Sequence, residues 1–282
     1  MMDYRLKLIG YPIQHSLSPW IHNKFLERTH LKGTYTLHEI SPDASFDENV
    51  LTLKKEKVDG FNVTVPYKEE IIPYLNMLDD TAKQMGAVNT VVYRVGKWIG
   101  YNTDGIGYLR SLESKYPTFF QNKSKRILLI GAGGAARGIY YALDRAGFDC
   151  IDIANRTKAS AEEIAKLATL SSNTKVVSLK EAEEGIGNYD LIIQTTSVGM
   201  KPNVDTSILS FSQVKENAIA SDIVYQPLQT KFLKEAEKNG AAIHYGHTML
   251  LYQAQYAFEI WTNQKVPMDD LDLQLQTILE GR

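Results

Sequence analysis

The sequence predicts an α/β fold of two domains, the second a Rossmann-type dinucleotide-binding domain. Three observations carry that prediction. The chain has 282 residues, which makes two domains at roughly 150 residues each. Apolar runs of strand length alternate with helical patterns along most of it, the rhythm of parallel sheets covered by helices. A glycine-rich loop, Gly131-Ala132-Gly133-Gly134-Ala135-Ala136, stands between an apolar strand and a helical run. That is the setting in which such a loop holds a dinucleotide.

Taken in order, Arg5–Tyr11 reads as a strand and Ser18–Thr29 as a helix. Ser18 is a natural N-cap, and Pro19 suits the first helical position. Thr34–Ile40 is the next strand and Phe46–Lys55 an amphipathic helix. Asp59–Val65 is a third strand running into Pro66, a residue that opens helices, so Lys68 is expected in a first helical turn. Ala87–Arg94 and Lys97–Tyr101 form a hairpin about Val95-Gly96. The hairpin breaks the βα rhythm and marks the end of the first unit.

The second unit opens on Ile127–Ile130, a fully apolar run of the kind a buried parallel strand shows. Further strands are expected at Cys150–Ala154, Lys175–Ser178, Asp190–Thr195, Ala218–Val224 and Ala241–Tyr245. Helical patterns at Ala135–Ala146, Ala159–Leu170 and Lys231–Asn239 lie between them. Two helical patterns end the chain, His247–Gln264 and Met268–Leu279. In the long one, Leu250, Ala254, Ala257, Phe258 and Trp261 form the expected buried stripe. With no strand after them, these helices are expected to return to the first domain. The expected division is therefore 1–104 with 247–282, and 105–246.

Composition narrows the function. With 44% hydrophobic and 23% charged residues, the chain has the make-up of a folded globular protein, not of a disordered one. Its formal charge of −2 gives no electrostatic support to a nucleic-acid surface. Cys150 is the single cysteine and the six histidines lack metal-ligand spacing, so neither a disulfide nor a bound metal is expected. Neither a signal peptide nor a membrane-spanning run stands out, and a cytoplasmic location is the default expectation. A monomer and a homodimer are equally compatible with this composition.

The glycine loop has a mechanical reading. Gly131 permits the tight turn, and Gly133 lets backbone approach a pyrophosphate. Gly134 and Ala135 open the helix whose N-terminus favours negative charge, and Ala132 and Ala136 are small. The next strand ends in Asn155-Arg156-Thr157-Lys158. An NAD site places an acidic residue there, on the ribose 2′-hydroxyl. Its absence, with a planar guanidinium and a second cation in its stead, points to the 2′-phosphate of NADP. Taken alone, Arg156 and Lys158 read equally well as solvated charges.

Polar residues collect around the strand ends of the first unit. Ser16 has no structural duty, whereas Ser18 is explained by capping, yet both hydroxyls suit a small anion or polyol. Asn62 and Thr64 share a strand face by alternation. Lys68, at a helix start, is opposed by the dipole, and desolvation there would bring an amine toward acid–base work. Asn89 lies in a short strand, and Asp104 begins a helix, as its N-cap or as a carboxylate partner for Lys68. In the long C-terminal helix Met249 and Gln253 are four apart and share a face. A buried glutamine needs partners, which a polyhydroxylated ligand supplies. Met249 is packing or a rest for a flat ring.

These segments together resemble the shikimate dehydrogenase family over nearly the whole chain, Gly10 to Trp261. The motifs are Gly10-Tyr11-Pro12-Ile13 with His15-Ser16-Leu17-Ser18-Pro19, Gly60-Phe61-Asn62-Val63-Thr64-Val65-Pro66-Tyr67-Lys68, Gly86-Ala87-Val88-Asn89-Thr90 and Gly100-Tyr101-Asn102-Thr103-Asp104-Gly105. To these the second half adds the glycine loop, Asn155-Arg156-Thr157, Ser197-Val198-Gly199-Met200 and Asp222-Ile223-Val224-Tyr225-Gln226-Pro227. The resemblance implies two α/β domains flanking a cleft, and reversible NADPH-dependent reduction of 3-dehydroshikimate to shikimate in aromatic amino-acid biosynthesis. It makes Lys68 and Asp104 the catalytic pair. Ser16, Ser18 and Tyr225 would face the substrate carboxylate, and Asn62, Thr64, Asn89 and Gln253 its ring hydroxyls. Ile223, Gly246 and Met249 would lie near the nicotinamide.

Two positions depart from the family's pattern. Ser160 stands where another basic residue is common, and Gln194-Thr195-Thr196 where Asn-Ala-Thr is. Three other readings stay open: a quinate/shikimate dehydrogenase using NAD or NADP, a relative acting on an amino-substituted shikimate, and a dinucleotide-binding sensor without catalysis. Lys68 and Asp104 speak against the last, since a pure binder has no use for a proton-transfer pair.

Overall fold

The computed structural model describes residues 3–169, 172–211 and 213–281. They form two compact units, one of Met1–Thr103 with Gln253–Met268, the other of Asp104–Tyr252 with Asp269–Arg282.

The first unit runs β1 (Asp3–Gly10), α1 (Ser18–Arg28), β2 (Lys32–Glu39), α2 (Phe46–Lys55), β3 (Gly60–Val63), β4 (Met77–Leu78), α3 (Asp80–Met85), β5 (Thr90–Arg94) and β6 (Lys97–Tyr101). Its sheet has the order β2-β1-β3-β5-β6-β4. β1 is parallel to β2 and β3, while β5 is antiparallel to β3 and β6. Alternation along β3 sorts the two faces. Phe61 joins Phe46, Val50 and Leu53 of α2 in a buried cluster. Asn62 points to the opposite face, where α1 supplies His22 and Phe25.

The expected helix after Pro66 does not form. The Lys68 carbonyl accepts from Val88 N at 2.8 Å, and Ile72 N turns to Glu69 O instead. That cross-chain bond takes the acceptor an α-helix would need, so the segment folds as turns with one short 3₁₀ turn at Ile72–Tyr74. No helix dipole therefore opposes Lys68. Ser18 is also not an N-cap. The cap is Leu17, with no side-chain bond, and Ser16 Oγ accepts from Ser18 N at 3.2 Å. The local duty expected of Ser18 belongs to Ser16.

The second unit runs α4 (Asp104–Lys115), β7 (Arg126–Ile130), α5 (Gly134–Arg145), β8 (Cys150–Ala154), α6 (Lys158–Ala165), β9 (Lys175–Val177), α7 (Leu179–Glu184), β10 (Leu191–Gln194), β11 (Ile219–Asp222), α8 (Lys231–Lys238) and β12 (Ala242–His244). Its six strands are all parallel, in the order β12-β11-β10-β7-β8-β9. This is the doubly wound Rossmann order, which reverses between β7 and β10 and opens a crevice at their carboxyl ends. α6 stops at Ala165, short of the expected end, and Leu170 lies outside the described residues. Ser178, expected as the end of a strand, instead caps α7 in a reciprocal capping box with Glu181.

The closing helices are α9 (Gly246–Thr262) and α10 (Leu271–Leu279). α9 is shared: Gly246–Tyr252 goes with the second unit and Gln253–Thr262 with the first. In the first-unit half Ala254, Ala257, Phe258 and Trp261 are buried; Leu251 is buried where Leu250 was expected. α10 goes with the second unit and not with the first. Leu271 and Leu275 bury their side chains, and the charges of Asp272 and Glu280 act on Lys115, Tyr245 and His247 of that unit. Among the described residues no helix is long and apolar enough to cross a membrane.

Candidate active site

In the first unit three of the polar candidates, Asn62, Asn89 and Gln253, join with Thr90 and Thr103 in one network. Asn62 and Asn89 are 6% and 3% exposed, and Thr90 and Thr103 are fully buried. Asn62 Nδ2 donates to the Asn89 carbonyl and to Thr90 Oγ1, both at 3.0 Å. Thr90 Oγ1 donates to Asn89 Oδ1 at 3.0 Å. Asn89 Nδ2 donates to Thr103 Oγ1 at 3.0 Å, and Asn89 Oδ1 accepts from Thr103 N at 2.9 Å. Thr103 Oγ1 lies 3.3 Å from Gln253 Oε1, linking the network to α9. Buried polar groups of this kind are rigid only when they satisfy one another, and here they do.

Tyr35, Thr90 and Thr103 were not anticipated as members. Thr90 and Thr103 flank anticipated residues, Asn89 and Asp104, and that adjacency was the available signal. Tyr35, whose Oη donates to Asn62 Oδ1 at 2.8 Å, carries none, because a tyrosine in a strand reads as packing. Asn89 itself lies just before β5, not within it. Thr64 lies past the end of β3, half-buried, and extends the pairing through Thr64 N to Ile9 O at 2.9 Å. Its methyl group occupies the space a Cβ on Gly10 would need. Lys68 and Ser16 are half-buried and Ser18 is buried.

In the second unit the cofactor candidates gather at the carboxyl edge of the sheet. Gly131 follows β7 at φ +111°, and a Cβ there would meet the Thr195 hydroxyl at 2.5 Å. Thr195 in turn donates from Oγ1 to Ile130 O at 2.7 Å. Only glycine satisfies both the conformation and the close approach at the β7/β10 switch point. Gly133 is the N-cap of α5, which has no side-chain cap and no acidic residue in its first turn. A Cβ on Gly133 or Gly134 would meet nothing within 4 Å. An uncapped helix start facing open space fits a pyrophosphate. Ala132, Ile223 and Met249 pack, partly exposed, against one apolar cluster, which fits the flat face of a nicotinamide. Gly246 lies so close to Ile223 that a Cβ would collide with its carbonyl, so this glycine serves backbone packing. Asp104 opens α4 and is half-buried.

The end of β8 carries no acid. Arg156, Thr157 and Lys158 are exposed, and Thr157 caps α6 without using its hydroxyl. Asn155 Nδ2 donates to Thr157 O at 2.9 Å, closing the turn. Lys158 Nζ stands 3.8 Å from Glu162, which leaves Arg156 the stronger candidate for a 2′-phosphate.

The loop after β11 is held from one point. Asp222 is fully buried. Its Oδ1 accepts from Val224 N at 2.9 Å and Gln194 Nε2 at 3.1 Å, and its Oδ2 from Thr230 Oγ1 at 2.6 Å. Desolvation outweighs these bonds and pushes its pKa up to about 6. The loop presents Ile223 and Tyr225, and burial raises the pKa of the Tyr225 phenol. Gln194, where asparagine was expected, reaches both Asp222 and the Val198 carbonyl.

Comparison with known proteins shows the family. Residues 8–91 match the model of the shikimate dehydrogenase substrate binding domain, 114–225 that of shikimate/quinate 5-dehydrogenase, and 246–270 that of the shikimate 5′-dehydrogenase C-terminal domain. A shikimate dehydrogenase (NADP(+)) of Oceanobacillus iheyensis is 56% identical over 281 residues, the full length of both chains. The crystal structure of shikimate 5-dehydrogenase from Thermus thermophilus, in complex with NADP(H) and shikimate, is 31% identical with a TM-score of 0.83, covering 98% of this chain and 99% of that one. A quinate dehydrogenase from Corynebacterium glutamicum, in complex with NAD, has a TM-score of 0.86 at 25% identity over 99% of each chain. Fold alone does not separate these activities, and the model matched at 114–225 names both; the full-length identity of 56% is to a shikimate dehydrogenase. The chain belongs to the shikimate dehydrogenase family.

Proposed function

We propose that this enzyme catalyses the reversible reduction of 3-dehydroshikimate to shikimate with NADPH. Full-length identity of 56% to an NADP-dependent shikimate dehydrogenase carries the reading. The open glycine loop and the acid-free end of β8 support the choice of cofactor.

The first unit binds the substrate and the second binds NADP(H). The bound cofactor supplies hydride. As the ketone oxygen gains negative charge, the Lys68 ammonium donates a hydrogen bond to it and then the proton. Asp104 supplies the carboxylate of the catalytic pair and holds a neighbouring hydroxyl. Proton delivery of this kind is worth about 10²–10⁴ in rate. Ser16, Ser18 and Tyr225 take the carboxylate, while Asn62, Thr64, Asn89 and Gln253 take the ring hydroxyls. The hydrogen bonds that tie Asn62 and Asn89 to each other and to Thr90 and Thr103 preorganise these two amides, so little is lost in ordering them at binding.

The test is reduced-nicotinamide absorbance with shikimate or quinate, each with NADP or NAD. Turnover with shikimate and NADP far above the other three pairs is the expected outcome. Comparable rates with quinate or NAD overturn the assignment in favour of a quinate-type relative.

A further inference from the structure

We propose that Tyr35 is a positioning residue for this reaction: its phenol fixes the Asn62 amide so that Asn62 meets the substrate only as an acceptor. The proposal rests on the reading of Asn62 as a substrate ligand. An asparagine amide has two donor hydrogens and an oxygen that accepts twice. Both donors of Asn62 are committed inside the protein, to the Asn89 carbonyl and Thr90 Oγ1. A backbone carbonyl can only accept, so nitrogen and not oxygen faces Asn89. Thr90 spends its own proton on Asn89 Oδ1, so its oxygen is the acceptor for Asn62. On the other side Tyr35 Oη donates to Asn62 Oδ1 at 2.8 Å. One accepting position of Asn62 is left, and it suits a hydroxyl and rejects a carbonyl or ether oxygen.

Tyr35 is built to hold that position. It is 3% exposed, and its backbone N donates to Asn23 Oδ1 at 3.2 Å. Its ring stacks on His22 at 4.3 Å between centroids and 13° between planes. Trp261 closes the far side of the same cluster, 5.0 Å from the His22 ring and 6.2 Å from Tyr35. His22 is fully buried, with its ring beside Asn62. Burial drives its pKa down to about 3, so the imidazole is neutral and acts as a flat face that sets the tilt of Tyr35. Burial also raises the pKa of the phenol well above its ordinary value, so Tyr35 remains a donor at any working pH. Removing its hydroxyl leaves the Asn62 oxygen without its internal donor, and the amide held from its nitrogen side alone.

The experiment is steady-state kinetics of Tyr35→Phe, alone and with Asn62→Ala. Tyr35→Phe removes one oxygen from a packed ring and is expected to fold, as its melting curve will report. We expect its KM for shikimate to rise about tenfold, the scale of one net hydrogen bond. Its KM for NADP should stay within about twofold. In the Asn62→Ala background the same change should have no further effect, the signature of a residue acting through another. An unchanged KM for shikimate, a parallel rise in both KM values, or an equal effect in both backgrounds overturns the proposal alone. If Asn62→Ala does not fold, the split between the two KM values decides. A wild-type protein that does not turn shikimate over overturns the substrate reading and this proposal with it.

Discussion

Gly105 of α4 and Gly138 of α5 lie backbone to backbone. A Cβ on Gly105 would overlap the Gly138 carbonyl and stand 3.0 Å from the Ala142 methyl. No flexible side chain can yield, because the obstructing atoms belong to a helix backbone. Gly105→Ala is therefore expected to destabilise by about 1–3 kcal/mol, as overpacking does. Because Asp104 precedes this glycine, forcing α4 away should also lower turnover in the folded fraction. Chemical denaturation checks the first effect, and activity per mole of folded protein the second. Stability equal to wild type would mean that the two helices separate at no cost.

Lys68 is assigned the proton that reaches the ketone oxygen. Lys68→Ala should then lower kcat by about 10²–10⁴, with NADPH binding and the melting curve close to wild type. A loss below tenfold would remove Lys68 from the chemistry. Because Lys68 lies in a turn and not at a helix start, its role depends on placement alone, without help from a dipole.

Arg156 is exposed at the end of β8, where no carboxylate competes for a phosphate. Arg156→Ala should raise the KM for NADPH about 10- to 100-fold, the range for a hydrogen bond to a charged group. The KM for NADH should not move. Equal effects on the two cofactors would show that Arg156 does not read the 2′-phosphate. Lys158→Ala should do less, since its ammonium is near Glu162.

Much of the scaffold was legible because it follows from local patterns. β6, β8 and α2 have the expected bounds, each marked by an apolar period with turn residues at its ends. The glycine loop was legible for the same reason: strand, turn and helix start are consecutive. Failures came where a distant group settled a local choice. The helix expected after Pro66 lost its acceptor to Val88, twenty residues on. Asp222 attracted no attention as one acid in a motif, although three segments donate to it. Two of those donors, Gln194 and Thr230, lie 28 and 8 residues away, beyond the reach of any strand or helix period.

Stability should fall as pH drops from 7 to 5, and Asp222 should soften that fall. Burial depresses His22 and His244 to about 3 and His247 to about 4, against about 6.5 when unfolded. A depressed histidine contributes stability that is present above 6.5 and lost as pH falls toward the folded value. Asp222 has the opposite sign. Its folded pKa is raised to about 6, so its contribution is present below about 4 and lost as pH rises through 6. Near pH 5 the unfolded chain binds about three more protons at the histidines and about one fewer at Asp222, a net difference of about two. Urea denaturation between pH 6 and pH 5 should therefore lose about 3 kcal/mol. Asp222→Asn removes the opposing group and should steepen the slope toward three protons, whatever it does to stability at pH 7. A slope unchanged by that substitution would mean that Asp222 stays ionised in the folded protein, and that its three hydrogen bonds outweigh its burial.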